Sequence, residues 1–145
     1  MNPSITPEDF GRRGRGTLPG LLGMVVTHVG ADGLKAEMAI TPSHLAPNGY
    51  LHAASLVTLA DTSCGYGCVA NLPEGASGFT TIELKSNFLG TALEGTMECV
   101  ATPQHLGGRT QVWDAVVTHR ETKKTLALFR CTQMVLQKPP PQRQE

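Results

Sequence analysis

Asp61 stands alone. It is the one Asp, Glu, Lys or Arg between Glu37 and Glu74. It lies in a run from Asn48 to Asn71 in which Ala53, Ala54, Leu56, Val57, Leu59, Ala60, Cys64, Cys68, Val69 and Ala70 leave no polar stripe at helical spacing. A helix that is apolar nearly all round is a buried helix. A buried carboxylate is costly unless it is paired or hydrogen-bonded. An acid in that place points to a site with a shifted pKa. Its chemistry would be that of a general base or a nucleophile. The bland alternative is a carboxylate that only hydrogen-bonds Thr58, Thr62 or a loop. Asn48 and His52 stand where the loop meets the helix. Asn48-Gly49 is also an ordinary turn dipeptide, and His52 is also a capping or core histidine.

The elements that must hold Asp61 follow from the rest of the chain. A length of 145 residues suits one domain with one core. Apolar residues make up 40%, charged residues 17%, and the formal net charge is zero. Nothing there favours nucleic acid or an anionic membrane. The longest uncharged run is rich in Gly, Ser, Thr, Asn and Pro, which argues against a transmembrane span. Residues 1–17 carry no apolar signal core, so the expected location is cytoplasmic. The four cysteines lack the spacing of a zinc site, and Cys64 and Cys68 read as small core residues one turn apart. His28, His44, His105 and His119 are scattered, so no metal is expected.

Residues 1–17 form a polar N-terminal segment, either a short surface helix from Pro7 or loose chain. Residues 18–137 form the domain, and 138–145 a Pro-rich tail. Strands are expected at 18–30 and 34–41, joined by Ala31-Asp32-Gly33 as a hairpin. The buried helix spans about 52–71. Four more strands follow at 79–89, 96–102, 111–119 and 125–137, with 103–108 read as a turn. Their short connections predict an antiparallel meander. In the first of them, alternation puts Thr80, Ile82, Leu84, Ser86 and Phe88 on one face. The sum is an α+β domain, a curved antiparallel six-stranded sheet wrapped around a central apolar helix.

Gly49-Tyr-Leu-His52 opening the helix, with Asp61 nine residues after the histidine, resembles the hotdog-fold acyl-CoA thioesterases. The nearest group is that of the phenylacetate-degradation thioesterases and the Arthrobacter-type 4-hydroxybenzoyl-CoA thioesterase. Its motif runs Asn/Gln-x-x-Gly-x-x-His-Gly-Gly, then an Asp or Glu on the helix. Asn87-Phe-Leu-Gly-Thr-Ala-Leu-Glu-Gly95 also resembles a strand end of that family. There are two departures. The family amide would fall at Ala46, whereas this chain has Asn48. The Gly-Gly after the histidine is Ala53-Ala54.

The resemblance implies hydrolysis of an acyl-CoA thioester, with an aryl, arylacetyl or medium-chain acyl group. Asp61 would be base or nucleophile, and the Ala53 N–H, at the first turn of the helix, the oxyanion donor. Only proline would lose that N–H, but the Ala53 methyl crowds the thioester more than glycine does. Asn48 would contact the water or the thioester, and His52 would orient the loop. Thr81 aligns with a family hydroxyl that orients the water, although strand alternation favours Thr80 on the helix side; a bulge would reconcile them. Ala53 and Asp61 lie too far apart along one helix to grip one carbonyl. The family joins them across a homodimer, which here would give two sites and pair further into a dimer of dimers. CoA enters only as part of the substrate, so no cofactor is implied. The rival function is a non-hydrolytic acyl-CoA-binding or regulatory domain. A dehydratase of the same fold would want a histidine on the helix near Asp61, and there is none.

Overall fold

The protein is described by a computed structural model over residues 1–138. Helix α1 spans Pro7–Gly14, α2 Leu18–Leu21 and α3 Ala53–Ala70. The strands are β1 Met24–Gly30, β2 Gly33–Ala39, β3 Ala76–Phe88, β4 Thr96–Leu106, β5 Thr110–His119 and β6 Thr125–Gln137. All six form one antiparallel sheet in the order β1-β2-β4-β5-β6-β3. The sheet packs on α3 from β2 through β5 and β6 to β3. This is the hotdog fold anticipated from the sequence. No helix is long and apolar enough to cross a membrane among the described residues.

The core lies between α3 and the concave side of the sheet. Leu56, Leu59, Ala60, Cys64 and Cys68 of α3 meet Met38, Met97, Cys99, Ala101, Trp113, Ala115, Val117 and Cys131, all buried. The two glycines inside α3 have a packing reason. A methyl group on Gly67 would sit 2.6 Å from the Trp113 ring, and one on Gly65 would sit 2.6 Å from the Phe79 ring. Helix stability is given up there so that two aromatic rings can reach the helix backbone.

Several expectations need correction. The segment 18–30 is not one strand. Thr17 and Pro19 start the single helical turn of α2, and Gly23, at φ +77°, breaks the chain before β1. The four late strands are not a simple meander. β4, β5 and β6 follow one another, but β3 pairs with β6, and β4 pairs with β2. The link from Leu89 to Gly95 crosses the end of the sheet. Leu89 and Gly90 hydrogen-bond the carbonyl of Leu126, and the Gly95 carbonyl accepts from Ile40. Three strand spacings measure about 15 Å, and seven residues can extend about 23 Å, so a short link does not force neighbours to pair. Pro103 sits inside β4 rather than in a turn, at a register shift between Pro103 and His105 where the ladder tolerates a missing N–H.

Of the two forms expected for residues 1–17, the helix forms. Thr6 and Asp9 make a reciprocal capping box, and Pro7 occupies the first turn. Its one large apolar residue, Phe10, is buried and stacks on Tyr66 of α3, with ring centroids 4.4 Å apart. The Pro-rich tail lies, beyond Lys138, outside the described residues.

Candidate active site

The loop before α3 is built to start the helix at a fixed place. His44 is buried; its Nδ1 accepts from the Thr41 N–H at 2.9 Å and its Nε2 lies 2.8 Å from the Leu22 carbonyl. That leaves Nε2 as the protonated nitrogen. The His44 carbonyl in turn accepts from the His52 N–H and the Ser55 hydroxyl. Gly49 takes φ +84°, a left-handed conformation that suits glycine, and closes the turn between Ala46 and Tyr50. Asn48 is exposed on this turn, and its Oδ1 accepts from the Tyr50 N–H at 3.2 Å.

His52 is the N-cap of α3, with Nδ1 accepting from the Ala54 N–H at 3.0 Å. Ala53 is the first helical residue and is exposed. Among the described residues nothing accepts its N–H, which leaves a donor at the positive end of the helix dipole. Ala53, Val57 and Asp61 follow one another at intervals of four along one side of α3. None of the three is fully buried, unlike Leu56, Leu59 and Ala60 beside them. That side borders β3, the last strand of the sheet.

Asp61 is half-buried and has one hydroxyl partner. Thr81 Oγ1 of β3 donates to Asp61 Oδ1 at 3.0 Å. Thr58 instead hydrogen-bonds the Ala54 carbonyl. Burial pushes the Asp61 carboxyl above its ordinary range, and hydrogen bonds from Thr81 and Gln133 pull partly against it. The result is a carboxyl group on an otherwise apolar helix with its proton affinity raised.

Thr81 reaches the helix because β3 is bulged. The register with β6 slips between Thr81 and Glu83. Phe79 and Thr81 therefore face α3, and beyond the bulge Leu84, opposite the buried Cys131, takes the inner face. This corrects the uninterrupted alternation expected of Thr80, Ile82, Leu84, Ser86 and Phe88; Thr80 is exposed. One residue was not anticipated at all. Gln133 of β6 is fully buried, pairs in register with Thr81, and lies with its amide 2.9 Å from Thr81 Oγ1. A polar residue at an inward position between Cys131 and Val135 was the available signal.

Within one chain, Asp61, Thr81 and Gln133 come together. Ala53, Asn48 and His52 gather at the start of the same helix, two turns away. Residues 48–126 match the thioesterase superfamily. The 1,4-dihydroxy-2-naphthoyl-CoA hydrolase of Escherichia coli K12 is 35% identical over 112 residues, 75% of this chain and 79% of that one. The chain belongs to the thioesterase superfamily. Among solved structures, the thioesterase HI1161 of Haemophilus influenzae superposes with a TM-score of 0.87 at 25% identity, covering 97% of this chain and 96% of that one. The E. coli PaaI protein from the phenylacetic acid degradation operon shares the fold, with a TM-score of 0.77 at 23% identity over 88% and 90% of the two chains. As a member of the thioesterase superfamily, the protein is a thioester hydrolase, and Asp61 lies within the matched segment.

Proposed function

We infer that this thioesterase hydrolyses acyl-CoA to the free acid and CoA, with an aromatic acyl group preferred. The observation that carries this is the Asp61–Thr81 pair, an ionisable acid with raised proton affinity in an otherwise apolar helix. The aromatic preference draws support from a relative named for a naphthoyl-CoA substrate; arylacetyl and medium-chain groups are the next candidates. Asp61 takes a proton from water as the water attacks the thioester carbonyl, or attacks that carbon itself to form a mixed anhydride that water then hydrolyses to the free acid and the regenerated carboxylate. The developing oxyanion is met by the Ala53 N–H. When the tetrahedral intermediate collapses, the C–S bond breaks; the CoA thiolate takes the proton that Asp61 removed from water or, in the nucleophilic route, one from the water that opens the anhydride. Asn48 touches the thioester or the water, and His52 holds the helix start.

Ala53 and Asp61 are eight residues apart, about 12 Å along the helix. One carbonyl cannot touch both, so the site is shared between two copies of the chain. Two features support this. β3 ends the sheet, so its outer edge is free to pair among the described residues. Its inner face leaves Leu84 and Phe88 exposed, opposite the buried Cys131 and Ala127 of β6. A two-fold there gives two equivalent sites, and such dimers pair again into a tetramer. The reaction uses no metal or redox cofactor. Four free, buried cysteines suit a reducing compartment such as the cytoplasm.

The test is thiol release from benzoyl-, hydroxybenzoyl-, phenylacetyl-, hydroxyphenylacetyl-, hexanoyl- and palmitoyl-CoA, with Asp61→Asn run alongside. The expected kcat/KM is about 10⁴ M⁻¹s⁻¹ or more on an aromatic thioester, with a loss of about 10²–10⁴-fold in the variant. An Asp61→Asn protein with wild-type kcat refutes the assignment. Binding without turnover across the panel would establish the non-hydrolytic function instead. Single turnover in ¹⁸O water separates base from nucleophile, since only a nucleophilic carboxylate acquires the label.

A further inference from the structure

Thr81 Oγ1 stands between two acceptors. It is 3.0 Å from Asp61 Oδ1 and 2.9 Å from the Gln133 amide. A hydroxyl carries a single proton, and an ionised carboxylate can only accept. With Asp61 ionised, that proton goes to Asp61, and Oγ1 must accept from its other neighbour. The amide NH₂ of Gln133 is the group that can donate. Its carbonyl oxygen then faces Cys131, whose Sγ is 3.2 Å from the amide, and the thiol can donate to it. Which end of an amide faces which neighbour is decided by such a network.

The bland account of Gln133 is a buried amide satisfied across the sheet. Its register partner on β5 is Gln111. Gln111, however, is engaged elsewhere: its Nε2 donates to the Asn71 carbonyl, and its Oε1 accepts from Trp113 Nε1. Gln133 is thus left to the site: to Thr81 and Cys131 and, by a hydrogen bond of its own, to the Asp61 carboxyl. We propose that Gln133 is a positioning residue, which orders the hydrogen bonds Cys131 → Gln133 → Thr81 → Asp61 so that the Thr81 hydroxyl always points at the Asp61 carboxylate. This rests on the reading of Asp61 as the reacting acid. The other ionisable groups nearby are the Cys64 thiol, one turn along α3, the Cys131 thiol of β6 and the Cys99 thiol of β4, all buried. Glu83 and Lys85 of β3 pair in register with Thr132 and Arg130, on the outer face of the sheet. No cation acts on Asp61 among the described residues.

The experiment is a carboxyl ¹³C NMR titration of the full chain with labelled aspartate, in the wild type and in Gln133→Met, Thr81→Val and the double variant. Removing the amide frees the hydroxyl to turn away, so the Asp61 midpoint rises in Gln133→Met by about one pH unit. In the Thr81→Val background, where only the direct bond from Gln133 is left to lose, the same substitution moves it less. A midpoint unchanged by Gln133→Met, or raised equally with and without Thr81, overturns the proposal. Should Gln133→Met not fold, the near-isosteric Gln133→Glu carries the decision: its effect must be larger with Thr81 present than without. The acid limb of kcat/KM should follow the NMR midpoint, with KM unchanged. The titration needs no turnover, so a wild type that releases no thiol sinks the enzymatic reading while the midpoints still decide the coupling.

Discussion

In the proposed reaction Asp61 concentrates cost and use in one side chain. Burial raises its pKa, so the folded chain holds this proton to higher pH than the unfolded chain does. The sign follows from linkage: its contribution to stability is whole below the unfolded value of 3.8 and is lost as pH rises through the folded pKa. Asp61→Asn should therefore raise Tm at neutral pH, and the gain should shrink as pH falls through that window. Calorimetry across pH reads this directly; an equal gain at every pH would mean that the charge is not the cause. A gain in stability with a loss of turnover is the pattern of a strained functional group. Ala53 is the second residue of interest. Ala53→Gly keeps the N–H and removes the methyl that the proposed site sets beside the thioester, so kcat/KM should rise for the bulkiest acyl groups in the panel. A fall for every substrate would mean that the methyl aids the reaction.

At the level of elements, α3 is shaped by what it must admit. Ala is normally a better helix residue than Gly by about 1 kcal/mol. Gly11→Ala in α1, where a methyl group meets nothing within 4 Å, should realise that gain. Gly67→Ala should lose stability by about 1–3 kcal/mol, because the methyl collides with Trp113. Urea denaturation of the two variants gives opposite shifts in midpoint; a stabilised Gly67→Ala would show that the indole can move aside. The helix was legible before the structure because an all-round apolar run is a local property. So were the inward residues of β2 and β4: Leu34, Ala36 and Met38, and Met97, Cys99 and Ala101, are all buried. β3 was not legible in the same way. Its bulge between Thr81 and Glu83 moves the alternation by one place, and nothing in the composition of 79–89 marks that slip.

On the proposed reading, the whole molecule has its site completed at the β3 edge by a second copy. Complementation tests whether a second copy completes it. Ala53→Pro removes the N–H at a helix position that tolerates proline, and Asp61→Asn removes the carboxylate. Each variant alone should be nearly inactive. After the two are unfolded together and refolded, half of the dimers are mixed, and each mixed dimer has one intact site of two. About a quarter of wild-type activity should return. No recovery would place both groups in one chain's site. At the other end of the sheet order, α1 packs on β1, and its Phe10 stacks on Tyr66 of α3.

Periodicity, one solitary acid and a helix-start motif determined the fold class, the buried helix and the residue proposed as its chemical centre. Those are near-neighbour properties, set by how side chains repeat along a helix or a strand. Only the tertiary structure decided that β3 crosses to pair with β6, that Thr81 rather than Thr80 meets Asp61, and that Gln133 stands behind it. Strand pairing joins residues some fifty positions apart, such as Thr81 and Gln133. A one-residue slip in such a pairing exchanges the two faces of a strand. Local pattern carries no record of either, because both are settled by which surfaces the closed sheet can bury.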